Sequence, residues 1–196
     1  MIIKKPRRTL KYIQHYPKPR EVYESIIFGD QWPYKTNVEY YKKRDRALAA
    51  ITYLLAARIS EVLRLETWQI TIENNRVVVE RIELSKSFKK GKPRNDLFRP
   101  EGWLPLLGNR APLTELVTDY LAVCKTKRLF PFGRIRAWQI ITTITKEPCH
   151  WLRAFGENYL YDVWDKDILA VSDYIKVDVR TLQKYIRRSY QKYEAQ

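Results

Sequence analysis

The chain has 196 residues, 45% of them apolar, so it is long enough to bury one hydrophobic core and to form one domain. Its 37 lysines and arginines against 22 acidic residues give a formal net charge of +15, which indicates a polyanionic partner such as DNA or RNA. The two cysteines and two histidines have no metal-ligand spacing, which argues against a structural zinc site. Because it has neither an apolar run long enough for a bilayer nor a signal-peptide pattern, we expect a reduced, soluble, cytoplasmic protein with no membrane partner.

Residues 1–20 hold seven lysines and arginines, three prolines and no acidic residue. This composition predicts a flexible basic arm, which either contacts DNA or is a solvated tail. The remaining residues, 21–196, are predicted to form a single domain. Its first elements are a short helix over residues 20–27 and a second helix that begins near Val38 and continues through the apolar block 47–70.

The hydrophobic period changes from helix to strand after the block 47–70. Residues 70–72 and 76–84 form two β-prone runs around a turn, which is typical of an antiparallel hairpin. The segment 85–94 then carries five cations with glycine and proline turn chemistry, and residues 97–107 predict a strand that returns along the hairpin. This is the one sheet that the sequence predicts.

Apolar residues at helical spacing dominate the rest of the chain. The predicted helices cover residues 113–125, 134–145, 149–161, 166–174 and 178–193. Thr114 and Asp178 are the expected amino-terminal caps of the first and last of these helices, because their side-chain oxygens can accept backbone N–H groups. The sequence therefore predicts a mainly α fold with a small antiparallel β-sheet, in the α+β class.

Arg58 lies inside the apolar block 47–70, directly after Ala56 and Ala57. A guanidinium group keeps its proton in proteins, and burying it without a partner is costly. Arg58 is therefore expected either to pair with Glu61, one turn further on, or to face an anion. The simple alternative is a surface arginine in an ion pair with no further role.

Residues 57–70 read ARISEVLRLETWQI and resemble the first arginine motif of the tyrosine recombinases, the phage-integrase family. In that family the arginine grips the scissile phosphate of DNA. The resemblance implies the catalytic-domain fold of these enzymes and their activity, site-specific recombination or integration through a 3′-phosphotyrosyl intermediate. It also implies double-stranded DNA as the partner, a homo-oligomer such as a tetramer on paired sites, and no metal or other cofactor.

The second motif of the family is matched by His150 and Arg153, which form an H-x-L-R sequence downstream of Arg58 at the family's usual separation. The resemblance implies that Arg58 and Arg153 share the non-bridging oxygens of one phosphate, with His150 beside them. The alternatives are a histidine that bonds to backbone at the start of a helix and an arginine that is a surface cation.

The family's nucleophile is matched by Tyr185, which follows Arg153 at near the family's separation. Tyr185 is expected at the edge of the apolar stripe of the last helix, where a phenol can reach a phosphate. The chain has 14 tyrosines, most of which must be core or rim residues, and Tyr174 and Tyr190 compete for the role.

Members of the family have a lysine at the hairpin that corresponds to residues 70–84, and this lysine enters the minor groove beside the cleaved bond. The S-K-S sequence around Lys86, which directly follows the hairpin, is similar to that element. Lys86 is therefore the candidate general acid, with Lys89, Lys90 and Lys92 as alternatives and a solvated basic loop as the simple interpretation. The further residues expected to bind DNA are Lys89, Lys90, Lys92, Arg94, Lys184, Arg187 and Arg188.

The chain departs from the family pattern at two positions. Lys176 stands where a histidine or tryptophan usually precedes the tyrosine, and it can still donate a hydrogen bond to a phosphate oxygen. Ala154 and Phe155 stand where a histidine commonly follows the second arginine. The stretch before the first motif is also too short for the separate amino-terminal DNA-clamping domain of most members. These departures leave open a DNA-binding protein of this fold with weak or no catalysis. The high positive charge also leaves open a basic RNA-binding or ribosome-associated protein.

Overall fold

A computed structural model describes residues 18–29, 37–73, 76–85, 98–183 and 186, and the backbone alone of 88–89 and 92–93. Its helices are α1 (Pro19–Phe28), α2 (Val38–Leu54), α3 (Ile59–Val62), α4 (Ala111–Leu121), α5 (Arg134–Thr145), α6 (Cys149–Val163) and α7 (Ile168–Ile175). Its strands are β1 (Ile70–Glu73), β2 (Arg76–Glu83), β3 (Phe88–Lys89), β4 (Lys92–Pro93) and β5 (Phe98–Pro105). The predicted mainly α fold with a small antiparallel sheet is confirmed.

Strands β1, β2 and β5 form an antiparallel sheet in that order, so β2 lies in the centre. The register pairs Val79 of β2 with Ile70 of β1 on one side and with Gly102 of β5 on the other. The predicted hairpin and returning strand are therefore confirmed. Strands β3 and β4 pair as a separate two-stranded ribbon within the segment 85–94, where the sequence predicted a turn.

Helix α2 is the centre of the main core. Every residue from Ala47 to Leu54 is buried, because α4, α5 and α6 pack around the helix and β5 lies near its carboxyl end. The mainly apolar composition of this segment, interrupted by Thr52, is typical of a helix that is covered on all sides. Neither α2 nor any other helix in the described ranges is long and apolar enough to cross a membrane.

A second cluster joins the carboxyl-terminal elements to the chain just after α2. Asp178 accepts a backbone N–H with Oδ1 at 2.9 Å, which confirms its predicted role as cap of the helical residues 179–183. These elements pack against Ala56, two positions before Arg58. The buried residues of the cluster are Ala56, Leu160, Val171, Ile175, Val177, Leu182 and Ile186.

The predicted continuous helix over residues 47–70 is wrong. Helix α2 stops before Ala56, whose φ of 49° is left-handed, and the chain then runs extended through Arg58 before it enters α3. A continued helix would offer the carbonyl oxygen of Leu55 to a later amide, but Arg99 donates to this oxygen at 2.6 Å instead. A tertiary contact therefore replaces the helical hydrogen bond, and the local sequence does not reveal it.

The predicted cap at Thr114 is also wrong. Helix α4 begins at Ala111, with Pro112 in its first turn, where a missing N–H costs nothing. Thr114 is consequently inside the helix and buried in the core. The helices predicted over 134–145 and 149–161 match α5 and α6 closely.

Candidate functional site

Arg58 is the amino-terminal flanking residue of α3 and has an extended backbone. Its Nη1 donates to Oε1 of Glu61 at 2.8 Å, and its backbone N–H donates to Oε2 of the same carboxylate at 2.8 Å. The pairing that the sequence allowed is therefore present. The Arg58 side chain is nevertheless 27% exposed, so the guanidinium group can reach a ligand from solvent as well.

Glu61 links Arg58 to the end of β2. Its buried carboxylate also accepts the backbone N–H of Ser85, at 3.1 Å from Oε1, and the hydroxyl groups of Ser60 and Ser85 hydrogen-bond to each other. Burial opposes ionisation of Glu61, but the hydrogen bonds from Arg58 and Ser85 outweigh it and lower the pKa of this carboxyl. The start of the segment 85–94 is thereby anchored beside the first arginine.

Arg153 lies in the second turn of α6 and is paired with a carboxylate of the same helix. Its Nε donates to Oε1 of Glu157 at 2.7 Å, and the Glu157 side chain is only 1% exposed. Burial raises the pKa of the Glu157 carboxyl, while the positive charges of Arg153 and Arg58 oppose that shift. Arg153 is therefore hydrogen-bonded to this buried carboxylate, whereas Arg58 is hydrogen-bonded to Glu61 and acts on Glu157 only through its charge.

Gly156 allows α6 to come this close to the end of α2. A Cβ at this position would overlap the carbonyl oxygen of Tyr53 and would lie 3.0 Å from the Cα of Ala56. Any larger side chain would push α6 away from the turn that leads into Arg58. The glycine inside a helical pattern was the available sequence signal for this approach.

Arg99 is a third arginine of the charged cluster that Arg58, Glu61, Arg153 and Glu157 form, and the sequence did not identify it. It is 2% exposed on β5, donates from Nη1 to the Leu55 carbonyl and from Nε to the Glu101 carbonyl at 3.1 Å, and stacks its guanidinium carbon 3.8 Å from the ring centroid of Tyr174. It also interacts electrostatically with Arg153. In the sequence Arg99 follows a segment that is rich in lysines and arginines, so only its burial in the folded chain distinguishes it from them.

His150 and Lys176 are not joined to the two arginines by any contact between described residues. His150 is exposed near the start of α6, with its ring 5.2 Å from that of Trp151, and partial burial lowers the pKa of its imidazole against the opposing charge of Glu147. Lys176 follows α7 with a φ of 53°, and its Nζ is 2.9 Å from Oδ1 of Asp173.

Several candidates lie outside the described residues: Lys86, Lys90, Arg94, Lys184, Tyr185, Arg187 and Arg188. Lys89 and Lys92 have described backbones in β3 and β4 but no described side chains. The immediate neighbours of two of them are informative. Ser85, which precedes Lys86, is bound to Glu61, and Ile186, which follows Tyr185, is buried in the cluster that contains Ala56.

Tyr174, a competitor for the role of nucleophile, is occupied by packing. Its hydroxyl oxygen accepts the backbone N–H of Trp103 at 2.7 Å, and its ring packs against Trp103, Trp164 and the guanidinium group of Arg99. These contacts give Tyr174 a structural role between α7 and the sheet.

The charged cluster has the chemistry of an anion-binding site. It combines the guanidinium groups of Arg58, Arg99 and Arg153 with the buried carboxylates of Glu61 and Glu157, so positive charge is in excess. Arginine forks of this kind bind phosphate oxygens in pairs. Within the ranges that the structure describes, no group of three or more His, Cys, Asp or Glu side chains could hold a metal ion.

No family model matches the chain, and no curated protein matches it in sequence. Among solved structures with a similar fold, the XerH site-specific recombinase bound to palindromic difH substrate in a post-cleavage complex has a TM-score of 0.60 and 18% identity, covering 90% of this chain and 50% of that chain. The XerH pre-cleavage complex with difH substrate has a TM-score of 0.60 and 18% identity, with coverages of 85% and 47%. The chain thus spans about half the length of the XerH chains it matches. Its fold is that of a tyrosine recombinase catalytic domain.

Proposed function

We propose that this chain is a tyrosine-type DNA strand transferase, a site-specific recombinase or integrase that cleaves and rejoins double-stranded DNA. The observation that supports this best is that Arg153 is hydrogen-bonded to the buried carboxylate of Glu157 and that the charge of Arg58, from a distant part of the sequence, also acts on this carboxylate. The similarity of the fold to XerH, which is solved in pre-cleavage and post-cleavage complexes with its substrate, points to the same class of reaction.

The two arginines would bind the scissile phosphate. Phosphoryl transfer depends mainly on positioning and on stabilising the charge that develops on the non-bridging oxygens. Arg58 uses Nη1 for Glu61, and Arg153 uses Nε for Glu157. Neither guanidinium group bonds to any other described residue, so each retains N–H groups that can donate to phosphate oxygens.

Tyr185 would supply the nucleophile. Its phenolic oxygen attacks the phosphorus, a 3′-phosphotyrosyl bond forms, the bond to the 5′-oxygen breaks, and the 5′-oxygen takes up a proton. Attack by a 5′-hydroxyl on the phosphotyrosine reverses these steps, so that religation consumes no nucleotide. A phenol with an ordinary pKa of about 10 needs nearby cations to assist its deprotonation.

Lys86 would protonate the leaving 5′-oxygen, and His150 and Lys176 would donate further hydrogen bonds to the phosphate. The hydrogen bond between Ser85 and Glu61 supports Lys86 for this role. Ser85 directly precedes Lys86, and the same carboxylate accepts a hydrogen bond from Arg58. The phosphates of the flanking DNA would be bound by further lysines and arginines, namely Lys89, Lys90, Lys92, Arg94, Lys184, Arg187 and Arg188.

The test is covalent trapping on a nicked duplex that cannot religate. We expect the wild-type chain to form a denaturation-resistant adduct with DNA, and Tyr185→Phe to form none while it still binds the duplex. The matched control is Tyr174→Phe, which removes a hydroxyl that accepts the N–H of Trp103 and interacts with Arg99, and this variant should retain the adduct. An adduct in Tyr185→Phe would show that the proposed nucleophile is wrong.

A second candidate function is DNA binding by this fold with weak or no catalysis. The pairing of Lys176 with Asp173 favours it, because this lysine stands where the family usually has a histidine or tryptophan. In the same trapping experiment this function gives a mobility shift without an adduct in the wild-type chain. Preferential binding of RNA over duplex DNA would instead support a basic RNA-binding protein.

A further inference from the structure

Glu157 is the buried carboxylate that pairs with Arg153, and nothing in its sequence position marks it. It lies one turn after Arg153 on α6, and its side chain is 1% exposed. Its Oε1 accepts the Nε–H of Arg153, whereas its Oε2 is buried and bonds to no described residue. A charge in this environment is costly unless it is paired, and Arg153 supplies the pair.

The geometry of the Arg153–Glu157 pair leaves the phosphate-binding end of the arginine free. Nε lies on one edge of the planar guanidinium fork, and the two Nη groups form its end. Because Glu157 engages the Nε edge at 2.7 Å, it fixes the rotation of the fork without occupying its end. The end can then meet two oxygens of a phosphate in parallel.

The carboxylate also acts on Arg58, which belongs to a different element. Two guanidinium groups that bind one phosphate repel each other before the phosphate arrives. Glu157 interacts favourably with both of them, since the charges of Arg153 and Arg58 each stabilise its ionised form. A negative charge that attracts both of them reduces that repulsion.

We propose that Glu157 is a positioning residue that orients Arg153 through Nε, so that the Nη groups of this arginine are arranged for the scissile phosphate before DNA binds. The inference rests on the proposed function, because its effect is on the rate of strand cleavage. It makes Glu157 a determinant of how Arg153 meets the phosphate.

The experiment compares Glu157→Gln and Glu157→Ala with the wild-type chain on the nicked duplex. The rate of adduct formation is measured at saturating DNA, and the affinity is measured separately by fluorescence anisotropy. Loss of orientation should lower the rate by about 10²-fold for the alanine variant and by about 10-fold for the glutamine variant, whose amide oxygen can still accept from Nε. The dissociation constant should change by less than about 3-fold, because phosphate contacts along the duplex dominate affinity.

A matched control is available on α1. Arg20 donates from Nε to Oε1 of Glu24 at 2.7 Å with the same i,i+4 spacing, but on an exposed surface. Glu24→Gln should leave the rate of adduct formation unchanged. A general effect of breaking a helical ion pair would instead slow both glutamine variants.

The pH profile of cleavage gives a readout that a purely structural role would not change. The charged groups that act on Glu157 are Arg153 on its own helix and Arg58 before α3, and burial raises the pKa of the Glu157 carboxyl despite both. As the pH falls through that raised pKa the carboxylate is protonated and its hold on the arginines weakens, so the wild-type rate should fall. Glu157→Gln has no group to protonate there and should lose this acid limb.

The outcomes separate the inference from the function on which it rests. If the wild-type chain forms an adduct and the folded glutamine variant cleaves at the wild-type rate with the same pH profile, Glu157 has no positioning role. If the alanine variant does not fold, the glutamine variant alone decides. A wild-type chain that forms no adduct overturns the proposed function, and the role of Glu157 in cleavage with it.

Discussion

The Cα of Gly156 on α6 lies against the backbone of Tyr53 on α2, so close that a Cβ at position 156 would overlap the carbonyl oxygen of Tyr53. This approach sets the distance between the helix that carries Arg153 and the turn that leads to Arg58. The site therefore depends on a backbone contact between two helices as well as on its charged side chains.

Gly156→Ala should destabilise the fold by about 1–3 kcal/mol, because the added methyl group forces the two helix backbones apart. Denaturation in urea measures the change. Gly133→Ala is the control, since a Cβ at Gly133 would meet nothing within 4 Å. Gly133 precedes α5, so the control should cost under about 1 kcal/mol for the weaker cap. Equal losses in the two variants would contradict the close contact at Gly156.

Arg58→Lys should lower the rate of adduct formation by about 10²–10³-fold, because a single ammonium group cannot replace a fork that donates to two oxygens. The measurement is single-turnover cleavage of the nicked duplex. Arg64→Lys provides the comparison, since Arg64 pairs with Glu83 at 3.0 Å on the surface. A similar loss in that variant would mean that charge near α3, and not the fork of Arg58, sets the rate.

Glu61→Gln should lower the free energy of unfolding at neutral pH by about 2 kcal/mol, since it weakens charge-assisted bonds to Arg58 and Ser85. The pKa of Glu61 is lowered in the folded state, so its stabilisation is present above its ordinary pKa and is lost as the pH falls through the lowered value. The difference between wild type and variant should therefore shrink in acid. Urea denaturation across this range tests it, with the exposed Glu83→Gln as a near-neutral control.

Arg99→Lys should destabilise the fold by about 2 kcal/mol, because lysine cannot donate to the carbonyls of both Leu55 and Glu101 while it lies on the Tyr174 ring. Arg76→Lys is the matched change on the sheet: its guanidinium carbon is 4.7 Å from the Trp103 ring centroid, but the residue is exposed. Its cost should stay near 0.5–1 kcal/mol, roughly the value of an exposed cation–π contact. Thermal or urea unfolding distinguishes the two, and equal costs would contradict a special role for the buried arginine.

The elements with a clear hydrophobic period were predictable. The hairpin, the returning strand, α5, α6 and the cap at Asp178 follow from apolar spacing and local side-chain chemistry. The break after α2 was not predictable, because it depends on Arg99, which is distant in sequence and meets the Leu55 carbonyl only in the folded chain. Propensity in residues 47–70 favours a helix, and the tertiary contact overrides it.

The candidate site could be predicted only where a motif has a fixed spacing. Arg58 and Arg153 were proposed in this way, and in the structure each pairs with a buried glutamate, Glu61 and Glu157 respectively. Glu157 and Arg99 were not identified, because a single acidic or basic residue in a chain with 59 charged side chains (37 basic and 22 acidic) gives no local signal. Their burial, which requires the packed α6 and the assembled sheet, is what distinguishes them.

The carboxylate of Glu61 holds two segments at once, the turn of Arg58 and the end of β2 at Ser85. Movement of either segment away from this carboxylate would disturb the other. If Lys86 protonates the leaving strand, then phosphate binding by Arg58 and proton transfer by Lys86 are coupled through this carboxylate. Such coupling would prevent strand cleavage when only one of the two segments is in position, and so would prevent breaks in DNA that the protein cannot rejoin.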